Sequence, residues 1–139
     1  MSDDYIPSQI ILDYYSNPVN YGVIKSFDIK IEGNNSGCSD KVTIYVKFSK
    51  DKKIIKNISF VHSGCVISKA GGCIATELSL NKKIEDVINL KPESIIENLD
   101  GVLQTRVRCA YLTLNLLKVA LKQFISEKPK TPVNFSLTI

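Results

Sequence analysis

Cys38, Cys65 and Cys109 each stand where a regular element is about to begin, and Asp40 follows Cys38 by two residues. In an extended segment two such positions point to the same side. Three thiolates and a carboxylate can fill the tetrahedral sphere of zinc or cap the irons of a [2Fe-2S] cluster. A carboxylate is harder than a thiolate and binds such iron less firmly, so one corner of the site could open for transfer. Cys73 differs. It lies eight residues beyond Cys65, about 12 Å of helix rise, and could share a small cluster with it only if the helix broke at Gly71-Gly72. Its place on an apolar helix face reads as a small core residue. The gaps of 27 and 44 residues between the other three cysteines are not a metal-knuckle signature, so scattered structural cysteines stay open as the alternative.

The helix starts expected near Cys65 and Cys109 should favour thiolates, with Arg106 and Arg108 adding positive charge. His62 is the single histidine. It reads either as a polar residue closing a strand or as a ligand or proton-transfer group. No Gly-rich phosphate loop, zinc-protease helix motif or recognised Ser or Cys catalytic motif is present.

These residues need elements to position them. A short helix capped by Ser8 is expected to stop at Asn17-Pro18. Phe27, Ile29 and Ile31 alternate with polar residues as a strand, and Gly33 to Gly37 reads as a loop. Val42, Ile44, Val46 and Phe48 mark a second strand, and Ile54 to Val61 a third. The period then changes: Ile67, Ala70, Ile74 and Leu78 recur at helical spacing, interrupted by the weak pair Gly71-Gly72. Short helices over 83–90 and 92–99 precede a long one through Val107, Ala110, Leu114, Leu117, Leu121 and Phe124. The expected fold is α+β, a three-stranded antiparallel sheet packed on one face by helices. Residues 1–127 form one domain, and 128–139 a tail that either docks as an edge strand or stays loose.

Composition supports one ordinary globular domain: 139 residues, 44% hydrophobic and 23% charged, enough for a core without a metal or disulfide. Residues 1–40 hold two basic and six acidic side chains; the remainder holds sixteen and eight. Only two of the basic residues are Arg, whereas phosphate and base reading favours Arg forks, so no nucleic-acid partner is expected. An acidic protein surface is the better match to this field. The acidic opening Met-Ser-Asp-Asp does not read as an export signal, and no apolar run is long enough to span a bilayer. A reducing cytoplasm is expected, with organellar import left open, and the cysteines should be free thiols or metal ligands.

Three stretches together carry a family resemblance. Ile11-Leu12-Asp13-Tyr14-Tyr15-Ser16-Asn17-Pro18-Val19-Asn20-Tyr21-Gly22 resembles a leading segment in which His and Arg are usual where Tyr14 and Val19 stand. Gly37-Cys38-Ser39-Asp40 resembles a C-G-D motif with Ser39 in place of glycine, and Gly64-Cys65-Val66-Ile67-Ser68-Lys69-Ala70 a G-C-x-I-S-x-A motif. Arg106 to Leu112 resembles the third cysteine motif. Over roughly residues 8–127 the chain is similar to the IscU/SufU/NifU N-terminal family of iron–sulfur cluster assembly scaffolds. The resemblance implies that Cys38, Cys65 and Cys109 are cluster ligands and sulfur acceptors, and that Asp40 keeps the cluster exchangeable. It implies a transient [2Fe-2S] cluster, iron, and zinc as another occupant of the same site. Implied partners are a cysteine desulfurase, iron and electron donors and recipient apoproteins. The chain lacks the insertion usual in SufU before the third cysteine, carries Arg108 where IscU has His, and reads Gly101-Val102-Leu103-Gln104-Thr105-Arg106 where IscU has L-P-P-V-K. The resemblance therefore does not extend to recognition by a specialised Hsp70.

Overall fold

The computed structural model describes residues 7–35, 40–102 and 104–139. Helix α1 (Gln9–Ser16) starts where Ser8 Oγ accepts the Ile11 N–H. The same hydroxyl donates to the Leu99 carbonyl at 2.6 Å, tying the chain start to the helical layer. Strands β1 (Ile29–Asn34), β2 (Lys41–Phe48) and β3 (Ile55–Ser63) form an antiparallel meander. Helices α2 (Val66–Ser79), α3 (Ile84–Ile88) and α4 (Glu93–Glu97) follow, then a 3₁₀ turn (Gln104–Arg106), α5 (Val107–Glu127) and β4 (Val133–Thr138).

The sheet has four strands, in the order β3-β2-β1-β4, and β4 runs parallel to β1. The expected three-stranded antiparallel sheet is therefore corrected. Val133, Phe135 and Leu137 alternate with Asn134, Ser136 and Thr138, a strand pattern that finds its partner only after the whole helical layer has intervened. Phe135 sits opposite Ile31 and joins the core. The loop expected from Gly33 also begins later, because Gly33 and Asn34 remain in β1. A Cβ at Gly33 would collide with the Leu116 side chain. Glycine is what lets α5 lie directly on the strand there.

One face of the sheet carries Ile29, Ile31, Val42, Ile44, Val46, Ile58 and Phe60 against Leu112, Leu116, Leu117 and Phe124. A second cluster joins α1, α2, α4 and α5 through Ile11, Ile67, Ile74, Ile95 and Leu114. The pair Gly71-Gly72 does not break α2, which is continuous. A Cβ on Gly71 would strike the Ala110 carbonyl, and one on Gly72 would come within 2.6 Å of the Phe60 ring. The two glycines let α2 pack backbone-close on α5 and on the sheet together.

Candidate metal centre

Asp40 stands one residue before β2, and the register of β2 with β3 places Lys41 opposite Ser63. The next two residues, Gly64 and Cys65, therefore arrive beside Asp40 at the same end of the ladder. Gly64 turns the chain with φ +138°, and a Cβ there would overlap Asp40 Oδ1. That conformation favours glycine. The turn delivers the Cys65 N–H to Asp40 Oδ1 at 2.7 Å, while Cys65 Sγ lies 3.4 Å from Asp40 Oδ2. Cys65 is the N-cap of α2. Its amide is one of the donors a helix start leaves unmade, and a buried carboxylate satisfies it.

Cys109 comes from the first turn of α5, next to the Ala110 carbonyl on which Gly71 rests. One carboxylate oxygen of Asp40 and the sulfurs of Cys65 and Cys109 all lie within 4.8 Å of one another. A tetrahedral zinc or iron site holds sulfur and oxygen ligands roughly 3.5–3.8 Å apart, given metal–ligand bonds of about 2.0–2.3 Å. The donor set and its spacing suit a thiophilic metal. Asp40 and Cys109 are buried and Cys65 is half-buried, so Cys65 is the more accessible of these two thiols. Cys38, the remaining cysteine of the expected set, lies outside the described residues.

The electrostatics of Cys109 run opposite to the sequence expectation of helix-stabilised thiolates. Burial first, then the Asp40 carboxylate and the Cys65 sulfur, push its thiol far above the ordinary thiol range. Two potential anions face it in a dry site, and these outweigh the field of a helix start. A cation placed among the three would reverse that balance, because it stabilises the deprotonated sulfur directly.

Several neighbours hold this arrangement. Ser68 Oγ donates to the Cys65 carbonyl at 3.0 Å, so its oxygen accepts from His62 Nε2 at 2.6 Å. Burial lowers the His62 pKa below its usual value, and its ring closes β3 against the start of α2. Arg108 Nη2 donates to Asn35 Oδ1 at 3.2 Å and Asn35 Nδ2 donates back to the Arg108 carbonyl at 3.4 Å. Arg108 thus clamps the end of β1 to the start of α5. Arg106 lies half-buried in the 3₁₀ turn leading into α5. Cys73 is fully buried in the sheet-side core, with burial raising its thiol pKa.

Gly64, Ser68 and Asn35 were not singled out from sequence as site residues. A glycine directly before a candidate ligand was the available signal for Gly64, and a serine three residues into a helix for Ser68. No local signal pairs Asn35 with Arg108.

An α+β sandwich carrying two cysteines and an aspartate at adjoining element starts defines a small domain with a thiol–carboxylate cluster whose donors could hold a metal ion. The NifU-like N terminal domain family matches residues 6–131. The chain belongs to that family. It is 28% identical over 128 residues to the iron–sulfur cluster assembly scaffold protein IscU of Aquifex aeolicus, covering 92% of this chain and 80% of that protein. It is 33% identical over 133 residues to the zinc-dependent sulfurtransferase SufU of Bacillus subtilis, covering 83% and 88%. Among solved structures it resembles FiSufU of Fervidobacterium islandicum, described as an iron–sulfur cluster assembly scaffold protein for the SUF system. That match has TM-score 0.66 and 27% identity, and covers 82% of this chain and 95% of that one. No helix of the described residues is long and apolar enough to cross a membrane.

Proposed function

We propose that this protein is an iron–sulfur cluster assembly scaffold that receives sulfur from a cysteine desulfurase, binds iron, builds a labile [2Fe-2S] cluster and passes it to apoproteins. The observation that carries the reading is the convergence of Asp40, Cys65 and Cys109 within 4.8 Å, on a chain of this family. Cys38 completes the ligand set. Sulfur receipt is thiol exchange: a scaffold thiolate attacks the outer sulfur of a donor persulfide, a new S–S bond forms, and the donor cysteine leaves as a thiolate. Cys65 is accessible at the helix start, whereas Cys109 is buried and holds its proton until a cation enters. Asp40 keeps the oxygen corner weak. Arg106 and Arg108 support the start of α5. The protein acts as a scaffold rather than as an enzyme, in the cytoplasm, with iron and electron donors as further partners.

Anaerobic reconstitution with iron, cysteine and a desulfurase should yield acid-labile sulfide and a visible cluster spectrum. Cys38→Ser, Cys65→Ser and Cys109→Ser should each abolish it, and Cys73→Ala should keep it. Normal cluster yield from the three serine variants would defeat the ligand assignment.

The same donors suit a second reading, a SufU-like zinc-dependent sulfur acceptor, favoured by the likeness to the Bacillus protein. Zinc held by Asp40 and the thiols would supply charge that keeps the sulfurs deprotonated. Stoichiometric zinc after isolation from the native cell, with persulfide but no sulfide on the protein, would decide for it.

A further inference from the structure

The two edges of the sheet are treated differently. The outer edge of β3 is covered twice: Phe60 exchanges backbone hydrogen bonds with Asn20 and Gly22 at 3.0 and 2.8 Å, and Ile55 with Lys82 and Asn81 at 2.9 and 2.8 Å. The outer edge of β4 has no strand beside it among the described residues. Natural sheets usually blunt such an edge with charge, a bulge or a covering segment. Strand β4 reads Val133-Asn134-Phe135-Ser136-Leu137-Thr138 and carries no charged side chain.

The direction of its free groups is fixed by its pairing with β1. Val133 N–H donates to Asp28 O and Ile139 N–H to Asn34 O, both at 3.0 Å. Odd-numbered residues therefore face β1, and the N–H and C=O groups of Asn134, Ser136 and Thr138 face outward. These groups are self-complementary. Antiparallel pairing about a two-fold axis through Ser136 sets Ser136 against its own copy and Asn134 against Thr138, with roughly six backbone hydrogen bonds from narrow pairs. The same register sets Phe135 opposite Leu137 and Val133 opposite Ile139 on the helix-covered face. Val133, Leu137 and Ile139 are each only partly buried against the core. Apolar meets apolar, polar meets polar, and no like charges face each other across the axis.

We infer that the β4 edge is a self-association surface, and that its occupant is the β4 strand of a second copy of this chain. The dimer joins two four-stranded sheets into one continuous sheet with isologous contacts. Strand β4 begins at residue 133, beyond the stretch 6–131 that matches the family. A single ladder is a small interface, so the dimer is a weak one that forms with rising concentration.

Sedimentation equilibrium from low micromolar to submillimolar concentration tests it on the metal-free protein under reducing conditions. The wild type should pass from monomer to dimer mass. Ser136→Pro removes the central outward donor and leaves the β1 ladder donors in place, so it should stay monomeric. The double variant Asn134→Lys with Thr138→Lys keeps every backbone donor and sets Lys against Lys twice across the axis. It should also stay monomeric, with the helical circular dichroism of the wild type, which covers the case in which the proline variant fails to fold. A wild type that is monomeric throughout overturns the inference, as does a dimer that the folded variants retain.

Discussion

Replacing Gly64 by alanine puts the geometry of the metal centre under direct stress. A methyl group there overlaps Asp40 Oδ1, and the backbone is held at φ +138°. Relief requires Asp40 to move, which breaks the 2.7 Å bond from the Cys65 N–H. A hydrogen bond to a charged group contributes about 1.5–3 kcal/mol, and a non-glycine residue in such a conformation costs about 1–3 kcal/mol. Together the substitution should destabilise the metal-free protein by about 2.5–6 kcal/mol, a large share of the ~5–15 kcal/mol typical of a domain. Urea titration followed by circular dichroism measures this, and zinc competition against a chromophoric chelator should show weaker binding. A double-mutant cycle with Asp40→Ala separates the two contributions. With the carboxylate gone there is no bond to break and no oxygen to strike, although the Asp40 Cα still lies 2.9 Å from the added methyl, so Gly64→Ala should then cost less by the hydrogen-bond part, about 1.5–3 kcal/mol. A cost below about 1 kcal/mol in the wild type, or an equal cost in both backgrounds, would refute the claim that Gly64 exists to seat Asp40 on the Cys65 amide.

Gly71→Ala drives a methyl group into the Ala110 carbonyl, so it should destabilise by about 1–3 kcal/mol as overpacking does, read as a lower thermal midpoint together with weaker zinc binding. Tyr14 donates to Glu77 Oε1 at 2.6 Å, and burial followed by this bond pushes its pKa up to about 12. The folded state then holds this proton more tightly than the unfolded chain, so the stabilisation is complete below pH 10 and is lost between about pH 10 and 12. Alkaline unfolding of Tyr14→Phe should lack that component, measured as a shallower fall in stability across this window.

The positions of the candidate ligands along the chain were legible because strand alternation and helical period fix where elements start. Cys65 and Cys109 could be placed at helix starts, and Cys73 on an apolar face, from those periods alone. Convergence was not legible, since it depends on the β2–β3 register and on how closely two helices approach. Gly71-Gly72 reads locally as a weak point in a helix, whereas its purpose is contact with Ala110 and Phe60, residues far away in sequence. The tail was legible as a strand that could dock at an edge, but its partner was not: nothing in either segment announces the parallel pairing of Ile31 with Phe135. Reading the helix starts as thiolate-stabilising failed at Cys109 because desolvation and a carboxylate on another element decide its proton. The Asn35–Arg108 clamp joins residues 73 apart, and neither residue type announces it.

The contact at Gly71 also has a mechanical meaning. Where two helices touch through backbone atoms, no side chain remains between them to change rotamer and absorb a displacement. Helices α2 and α5 therefore carry Cys65 and Cys109 as one stiff block, while Asp40 rides on the sheet. The seam between block and sheet at this point is made of polar contacts to Asp40, among them one short N–H to oxygen bond and one longer sulfur to oxygen contact from Cys65. Strain applied to the domain concentrates at that compliant joint, so the spacing between the sulfurs is stiff and the distance from either sulfur to the carboxylate is the soft coordinate.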